Sequence, residues 1–352
     1  MNKLTNEERK FSIKKTVSIA LWISLFGLTA CSEQQVNEWS CAHEFGQERC
    51  SNLANKAYHA KEYNKLKKLL EIQANYGNAQ AQERLGLLYD TDLLGEKDYK
   101  QAVYWLQKAA EQGQKHAQFS LGDKYQNGLG VEQSYTKALE LYKKSAEQGY
   151  ADAQLYIGVM YDKGLGVEQN YKQAMEWYQK AAEQGNANAQ VALGLMYKNG
   201  KGVSQNEIQA SQWFEKAIEK YRQSAKQGLD EAQFRLGRMY EQGWGVEKDY
   251  KIALQWYQKA AEQQYTDAQY DIGLIYDNGL DVEKDYTLAF QWYEKAAKQG
   301  HKQAQHNVGD MYEQGQGVEK NLAKAQEYYQ KACANGAEKS CDRLKELEKV
   351  KS

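Results

Sequence analysis

Residues 153–188 read AQLYIGVMYDKGLGVEQNYKQAMEWYQKAAEQGNAN. Ala153, Ile157, Met160 and Tyr161 stand at i, i+4, i+7 and i+8, the spacing of one face of a helix. Gly164 and Gly166 then break the pattern, since glycine takes positive φ without steric cost. Asn170, a preferred N-cap residue, opens a second apolar stripe made of Tyr171, Ala174, Trp177, Tyr178, Ala181 and Ala182. Gly185 supplies the residue just past its end. The stretch predicts a helical hairpin.

A G-x-G turn running into a helix also suggests a phosphate-binding loop. That chemistry needs a preceding strand, further glycines and a lysine or acidic ribose partner downstream. The residues before Tyr161 have helical spacing instead, and the same words recur along the chain. YQNGLGVEQSY starts at Tyr125, YKNGKGVSQNE at Tyr197, YEQGWGVEKDY at Tyr240, YDNGLDVEKDY at Tyr276 and YEQGQGVEKNL at Tyr312, with a weaker YDTDLLGEKDY at Tyr89. The Ala-Gln pair returns at Ala81, Ala117, Ala153, Ala189, Ala232, Ala268 and Ala304, in steps of 36, 36, 36, 43, 36 and 36 residues. A phosphate loop is needed once; a word at a fixed period is architecture. Asp98, Ser134, Asn206, Asp249, Asp285 and Asn321 repeat the N-cap of Asn170.

One hairpin cannot bury both of its stripes, so it must stack on its neighbours. Gly158, Ala181 and Ala182 are small enough to let helices approach closely. Repetition then yields a right-handed α/α solenoid, stable as a sum of repeat and interface terms. The repeating pattern A-x-x-x-L-G-x-x-Y-x-x-G-x-G-V-x-x-D-Y-x-x-A-x-x-W-Y-x-K-A-A-E-Q-G resembles the Sel-1-like repeat family, tetratricopeptide relatives with a longer hairpin loop. The resemblance covers residues 81–339 in seven copies and implies an all-α fold. A degenerate helical repeat is expected at 41–80 and a capping helix at 340–352. There are departures: Asp92 and Leu94 replace the loop glycines of the first copy, Asp281 the second loop glycine of the sixth, and Gln264 the helix-ending glycine of the fifth. The fourth copy holds seven extra residues, two helical turns, so its second helix is expected to protrude.

The first thirty residues belong to another category. Lys3, Arg9, Lys10, Lys14 and Lys15 precede an uncharged, mostly apolar run, residues 16–30, too short for a comfortable membrane span. It closes on Leu28-Thr29-Ala30-Cys31, which resembles the bacterial lipobox. That resemblance implies a signal peptide at 1–30, a diacylated Cys31 and a tether at 31–40. Lipidation implies attachment to a membrane surface, not a span. Ser32 stands where a retention signal would resemble aspartate, which favours the outer membrane and a periplasm-facing chain.

Four other cysteines fall in two pairs, Cys41 with Cys50 and Cys333 with Cys341, each pair with a glycine between its members. The repeat alignment puts each pair at a helix corner near one end of the array. In an exported protein local disulfides are expected there, because a terminal repeat lacks a neighbour. The two-residue spacing of zinc cysteines is missing. The cysteine-rich subgroup of the Sel-1-like family resembles this placement.

Chemistry is not expected. Without residues 1–30, which hold five Lys/Arg and two Asp/Glu, the net charge moves from −1 to −4, so nucleic acid is not a partner. The histidines, His43, His59, His116, His301 and His306, form no ligand spacing, and no metal or cofactor is expected. His306 reads as a surface residue. Ser134 and Lys137 make an S-x-x-K without the S-D-N or K-T-G companions of β-lactam enzymes, and Ser134 already holds an N-cap position. Penicillin binding or weak β-lactam hydrolysis, linked to some cysteine-rich relatives, is therefore an alternative reading, and no small-molecule substrate is expected.

What the fold offers is surface. In such solenoids the first helices line the concave wall. Three residues after each repeat alanine stand Arg84, Ser120, Tyr156, Ala192, Arg235, Asp271 and Asn307; three further on stand Leu87, Asp123, Val159, Leu195, Arg238, Leu274 and Asp310. They vary while the core words stay fixed. Arg84, Tyr156, Val159, Leu195, Arg235, Arg238 and Asp271 are the candidate contacts for another protein. The expected function is a non-catalytic, lipid-anchored interaction scaffold, with an immunity protein that captures a membrane-attacking toxin as an alternative.

Overall fold

The computed structural model describes residues 47–349. The expected signal segment, Cys31, the tether and Cys41 lie outside the described residues. Among the described residues there are seventeen α-helices, one short 3-10 turn and no strand. The chain divides into two compact units, one ending at Gln148 and one starting at Gly149.

The first unit holds α1 (Gln47–His59), α2 (Tyr63–Asn75), α3 (Ala79–Tyr89), α4 (Tyr99–Glu111), α5 (Lys115–Asn127) and α6 (Tyr135–Glu147). The second holds α7 (Ala151–Lys163), α8 (Tyr171–Glu183), α9 (Ala187–Asn199), α10 (Glu207–Lys226), α11 (Asp230–Gln242) and α12 (Tyr250–Glu262). It continues with α13 (Thr266–Asn278), α14 (Tyr286–Lys298), α15 (Lys302–Gln314), α16 (Leu322–Ala334) and α17 (Glu338–Lys349). Within each unit consecutive helices pack antiparallel, first helix on second helix and then on to the next hairpin.

Helix length is set by signals at both ends. The side chains of Asp98, Ser134, Asn170, Asn206, Asp249, Asp285 and Asn321 each accept the backbone N–H three residues later. A cap of this kind stabilises by about 1 kcal/mol. From α5 to α15 the first helices end on a left-handed glycine, such as Gly164 at φ 69°. Inside those helices glycine has a second task. A Cβ on Gly158 would lie 2.5 Å from the Tyr178 ring, so only glycine lets the hairpin close.

The departures are accommodated locally. In the first copy Asp92–Leu94 forms the 3-10 turn in place of the double-glycine loop. Asp281 keeps the left-handed conformation (φ 54°), and its carboxylate accepts the Tyr250 N–H at 3.4 Å. Gln264 likewise stays left-handed, at φ 66°. The long helix does not simply protrude, contrary to expectation. α10 runs for 20 residues against 13 in α8, yet Tyr221 and Ala225 in its added turns are buried with Ala232 and Leu236 of α11. The insertion keeps the 3.6-residue phase, so the apolar stripe extends with the helix.

Cys333 and Cys341 form a disulfide that ties α16 to α17, with Cα atoms 4.9 Å apart. Eight residues separate them, and eight residues also separate a hydrogen-bonded pair at the internal corners. Gln118 donates there to the Ala110 carbonyl at 3.2 Å and Gln305 to Ala297 at 3.1 Å. The covalent link replaces that hydrogen bond at the last corner. Cys50 is fully buried and disulfide-bonded. In α17, Lys345 stands where the preceding first helices carry their contact glycine, and its side chain is exposed.

Candidate functional site

The candidate contacts sit on first helices: Arg84 on α3 of the first unit, and the other six on α7, α9, α11 and α13 of the second. Each lies on the flank of a buried stripe, because the residues four and seven after the repeat alanine (Ile157 and Met160 in α7) enter the core. Their environments differ. Tyr156 and Val159 are half-buried against the α8–α9 cluster that contains Tyr178 and Leu193. Leu195 is half-buried against the cluster around Phe214. Arg84 is half-buried and Arg235 is exposed.

Three of the four charged members, Arg235, Arg238 and Asp271, lie on α11 and α13. Arg235 reaches Glu231 at 3.4 Å, one turn back on the same helix. The Arg238 Nε lies 3.4 Å from a Glu241 oxygen without forming a hydrogen bond, while the Tyr257 hydroxyl donates to that oxygen at 2.7 Å. Burial, and next the negative charge of Glu241, push the Asp271 carboxyl up to about 7, with Arg238 opposing. Nearby, burial lowers the His301 imidazole although Asp267 stands 3.5 Å away. The second unit thus presents an aromatic and aliphatic stretch on α7 and α9, then two arginines, then a carboxylate that is half protonated near neutral pH.

Sequence reasoning missed the groups that hold this face in place. Four of the buried second-helix tyrosines donate to a polar residue sixteen positions earlier: Tyr142 to Gln126 (3.3 Å), Tyr257 to Glu241 (2.7 Å), Tyr293 to Asp277 (3.1 Å) and Tyr329 to Glu313 (2.8 Å); Tyr178 has Asp162 at the same spacing, yet the Asp162 Oδ1 is left without a hydrogen bond. The pattern explains two exceptions. Phe214 has no hydroxyl, and the residue sixteen before it is Lys198, not an acceptor. Leu106 has none either, and Asp90 pairs instead with the buried Lys124 at 2.7 Å. A Tyr–acid spacing of sixteen was the available signal. His306, read as a surface residue, is half-buried: its Nδ1 meets the buried Ser340 hydroxyl at 2.9 Å and its Nε2 lies 3.5 Å from Asp310. Arg343 grips Glu313 through two nitrogens and holds that carboxyl below the usual range.

Among the described residues no group of three or more His, Cys, Asp and Glu is placed to hold a metal ion. The Ser134 oxygen accepts the Lys137 N–H at 3.3 Å, and the Lys137 ammonium lies 5.1 Å from the Tyr125 ring centre. Both partners of the S-x-x-K thus have structural roles.

Glycine-stopped first helices, capped second helices and hairpins that pack only on their neighbours define a tetratricopeptide-like helical repeat protein. The Sel1 repeat family pattern matches residues 79–114, 115–150, 151–186, 187–220, 230–265, 266–301 and 302–336. The chain belongs to the Sel1 repeat family. It is similar to a Sel1 repeat protein from Oxalobacter formigenes, at 34% identity over 71% of this chain and 96% of that one, with a TM-score of 0.50. It is also similar to a protective antigen of uropathogenic Escherichia coli with an SLR fold, at 33% identity over 80% of this chain and 67% of that one, with a TM-score of 0.43. An immunity protein from Pseudomonas aeruginosa is 22% identical over 74% of this chain and 82% of its own, with a TM-score of 0.34. No curated protein matches the chain.

Proposed function

We propose that this chain is a non-catalytic scaffold that binds another protein through its first-helix face, held at the cell envelope by a lipid on Cys31. One observation carries the binding reading. From α7 to α13 the buried positions repeat nearly unchanged, while the flanking positions change from Tyr156 and Leu195 to Arg235 and then Asp271. Tyrosine and arginine are enriched at the energetic centres of protein interfaces. The Leu28–Cys31 motif and the basic, then apolar, residues before it support the anchor, and Ser32 favours the outer membrane facing the periplasm.

The test places a photo-crosslinking amino acid at residue 235, on the exposed first-helix flank, or at the exposed Gln255 on second helix α12. A discrete adduct from 235 and none from 255 is expected in cells, with Arg235→Ala weakening recovery of the same partner at least fivefold. Adducts from 255 alone would place the working surface on the second helices. A toxin in the adduct would make the chain an immunity protein.

A further inference from the structure

Four Asn-Gly pairs stand at helix ends: Asn127-Gly128, Asn199-Gly200, Asn278-Gly279 and Asn335-Gly336. In each the glycine is left-handed, with φ between 67° and 82°. Its N–H donates back into the helix: Gly128 to Lys124, Gly200 to Met196, Gly279 to Ile275 and Gly336 to Cys333. The backbone is thus nearly the same at all four, but the carboxamides are not. Asn127 donates to the Asp123 carboxylate at 2.7 Å and to the Asp123 carbonyl at 3.0 Å. Asn278 donates to the Leu274 carbonyl at 2.8 Å. Asn335 donates to Gln305 at 2.9 Å and to the Gly300 carbonyl at 3.4 Å. Asn199, the last residue of α9, is exposed, and its carboxamide has no hydrogen-bond partner among the described residues.

The surrounding charge separates the four again. Asn199 lies between Lys198 and Lys201, whereas Asn278 lies between Asp277 and Asp281, and Asn127 touches Asp123. A neighbouring cation favours the deprotonated form of an amide nitrogen, and a carboxylate opposes it. Glycine leaves that nitrogen open to reaction, since it has no Cβ to shield it.

We propose that Asn199 is a site of spontaneous deamidation, which converts the last residue of α9 into isoaspartate and aspartate. The Gly200 nitrogen gives up its proton to solvent hydroxide and attacks the Asn199 Cγ. The new N–Cγ bond closes a five-membered succinimide as the Cγ–Nδ2 bond breaks, and the side-chain nitrogen leaves as ammonia. Water then opens the ring. Cleavage of the Cγ–N bond gives aspartate, and cleavage of the backbone C–N bond gives isoaspartate; nothing is oxidised or reduced. The other three carboxamides must first give up a hydrogen bond before their Cγ can meet the nitrogen.

Isoaspartate lengthens the backbone by one methylene at the start of a loop that has no slack. Across that loop the Asn206 N–H donates to the Tyr197 carbonyl at 2.9 Å, and a Cβ on Gly202 would lie 2.7 Å from the Tyr171 backbone. Either product also puts a carboxylate at a helix C-terminus, where the dipole disfavours it. Ageing at Asn199 therefore loosens the joint between α9 and α10. The site stands whether or not the first-helix face binds a protein.

The test incubates the full chain at pH 8.5 and 37 °C, with and without 6 M guanidinium chloride, and follows each Asn-Gly peptide by mass spectrometry. In the folded chain Asn199 is expected to gain one mass unit at least fivefold faster than Asn127, Asn278 or Asn335. In guanidinium, where the tethers are gone, Asn127 should come within twofold of it. The aged wild type should melt lower than the fresh protein, while aged Asn199→Gln should not, because the longer side chain does not close the five-membered ring. An equal or faster rate at any of the other three in the folded chain would overturn the proposal. So would a lead of Asn199 over Asn127 that guanidinium leaves intact. An equal fall in Tm for Asn199→Gln would overturn the loosening of the α9–α10 joint.

Discussion

Asp271→Asn is expected to stabilise the protein at pH 8 and to leave it unchanged at pH 4. The carboxyl titrates at about 7 in the folded chain against an ordinary value of 3.8, because burial and Glu241 disfavour its charge more than Arg238 favours it. The folded state therefore holds the proton more tightly than the unfolded state. Its contribution to stability is fully present below about pH 3.8 and is lost as pH rises to about 7. Three pK steps correspond to about 4 kcal/mol, and the partial access of this side chain to water reduces that to roughly 2 kcal/mol. The variant removes the ionisation. Against the melting of the second unit, which starts at Gly149, the gain at pH 8 corresponds to a rise of about 4–8 °C in Tm. Differential scanning fluorimetry of both proteins from pH 4 to 9 would show the Tm difference growing between pH 5 and 7.5, then levelling. A difference that is constant with pH, or that shrinks as pH rises, would refute the argument.

Three further outcomes check other parts of the molecule. Gly158→Ala forces a methyl to within 2.5 Å of the Tyr178 ring and should cost about 2–3 kcal/mol by urea denaturation, more than Gly185→Ala, which meets only the flexible Lys220 end and costs about 1 kcal/mol for alanine at φ 85°. Replacing Cys333 and Cys341 by alanine should remove roughly 2–3 kcal/mol and speed hydrogen exchange in α16 and α17, with exchange in α7 to α12 unchanged. Cys31→Ser should accumulate an uncleaved precursor and abolish palmitate incorporation; normal processing would remove the anchor from the proposal.

The period, the hairpins and the ends of the helices were legible in the sequence because they are encoded locally. A cap acts over three residues, as Asn170 does on Gln173, and a left-handed glycine over one. The links between repeats were not legible. Gln118 and Ala110 are visible as repeated letters, but their meeting depends on how two hairpins stack. The upward shift of Asp271 likewise draws on Glu241 of the neighbouring α11, which no pattern within its own helix announces. The seven added residues of α10 could be counted, yet their packing emerges only from the folded corner.

From the second copy on, each repeat carries its own start and stop: a capping side chain before the second helix and a glycine after the first. A unit copied or deleted whole therefore arrives with its boundaries already written, and the corner bond from its first-helix glutamine to the carbonyl eight residues earlier, as Gln118 makes to Ala110, re-forms with whichever neighbour it meets. Recombination between near-identical stretches such as KAAEQG at 180–185 and KSAEQG at 144–149 can lengthen or shorten the array by one 36-residue step without redesigning a junction. The cysteine-linked end is where that freedom stops. A unit added beyond α17 would have to do without the corner glutamine that Cys341 has replaced and would meet Lys345 where a glycine is required. Growth and loss of repeats are thereby confined to the interior of the array.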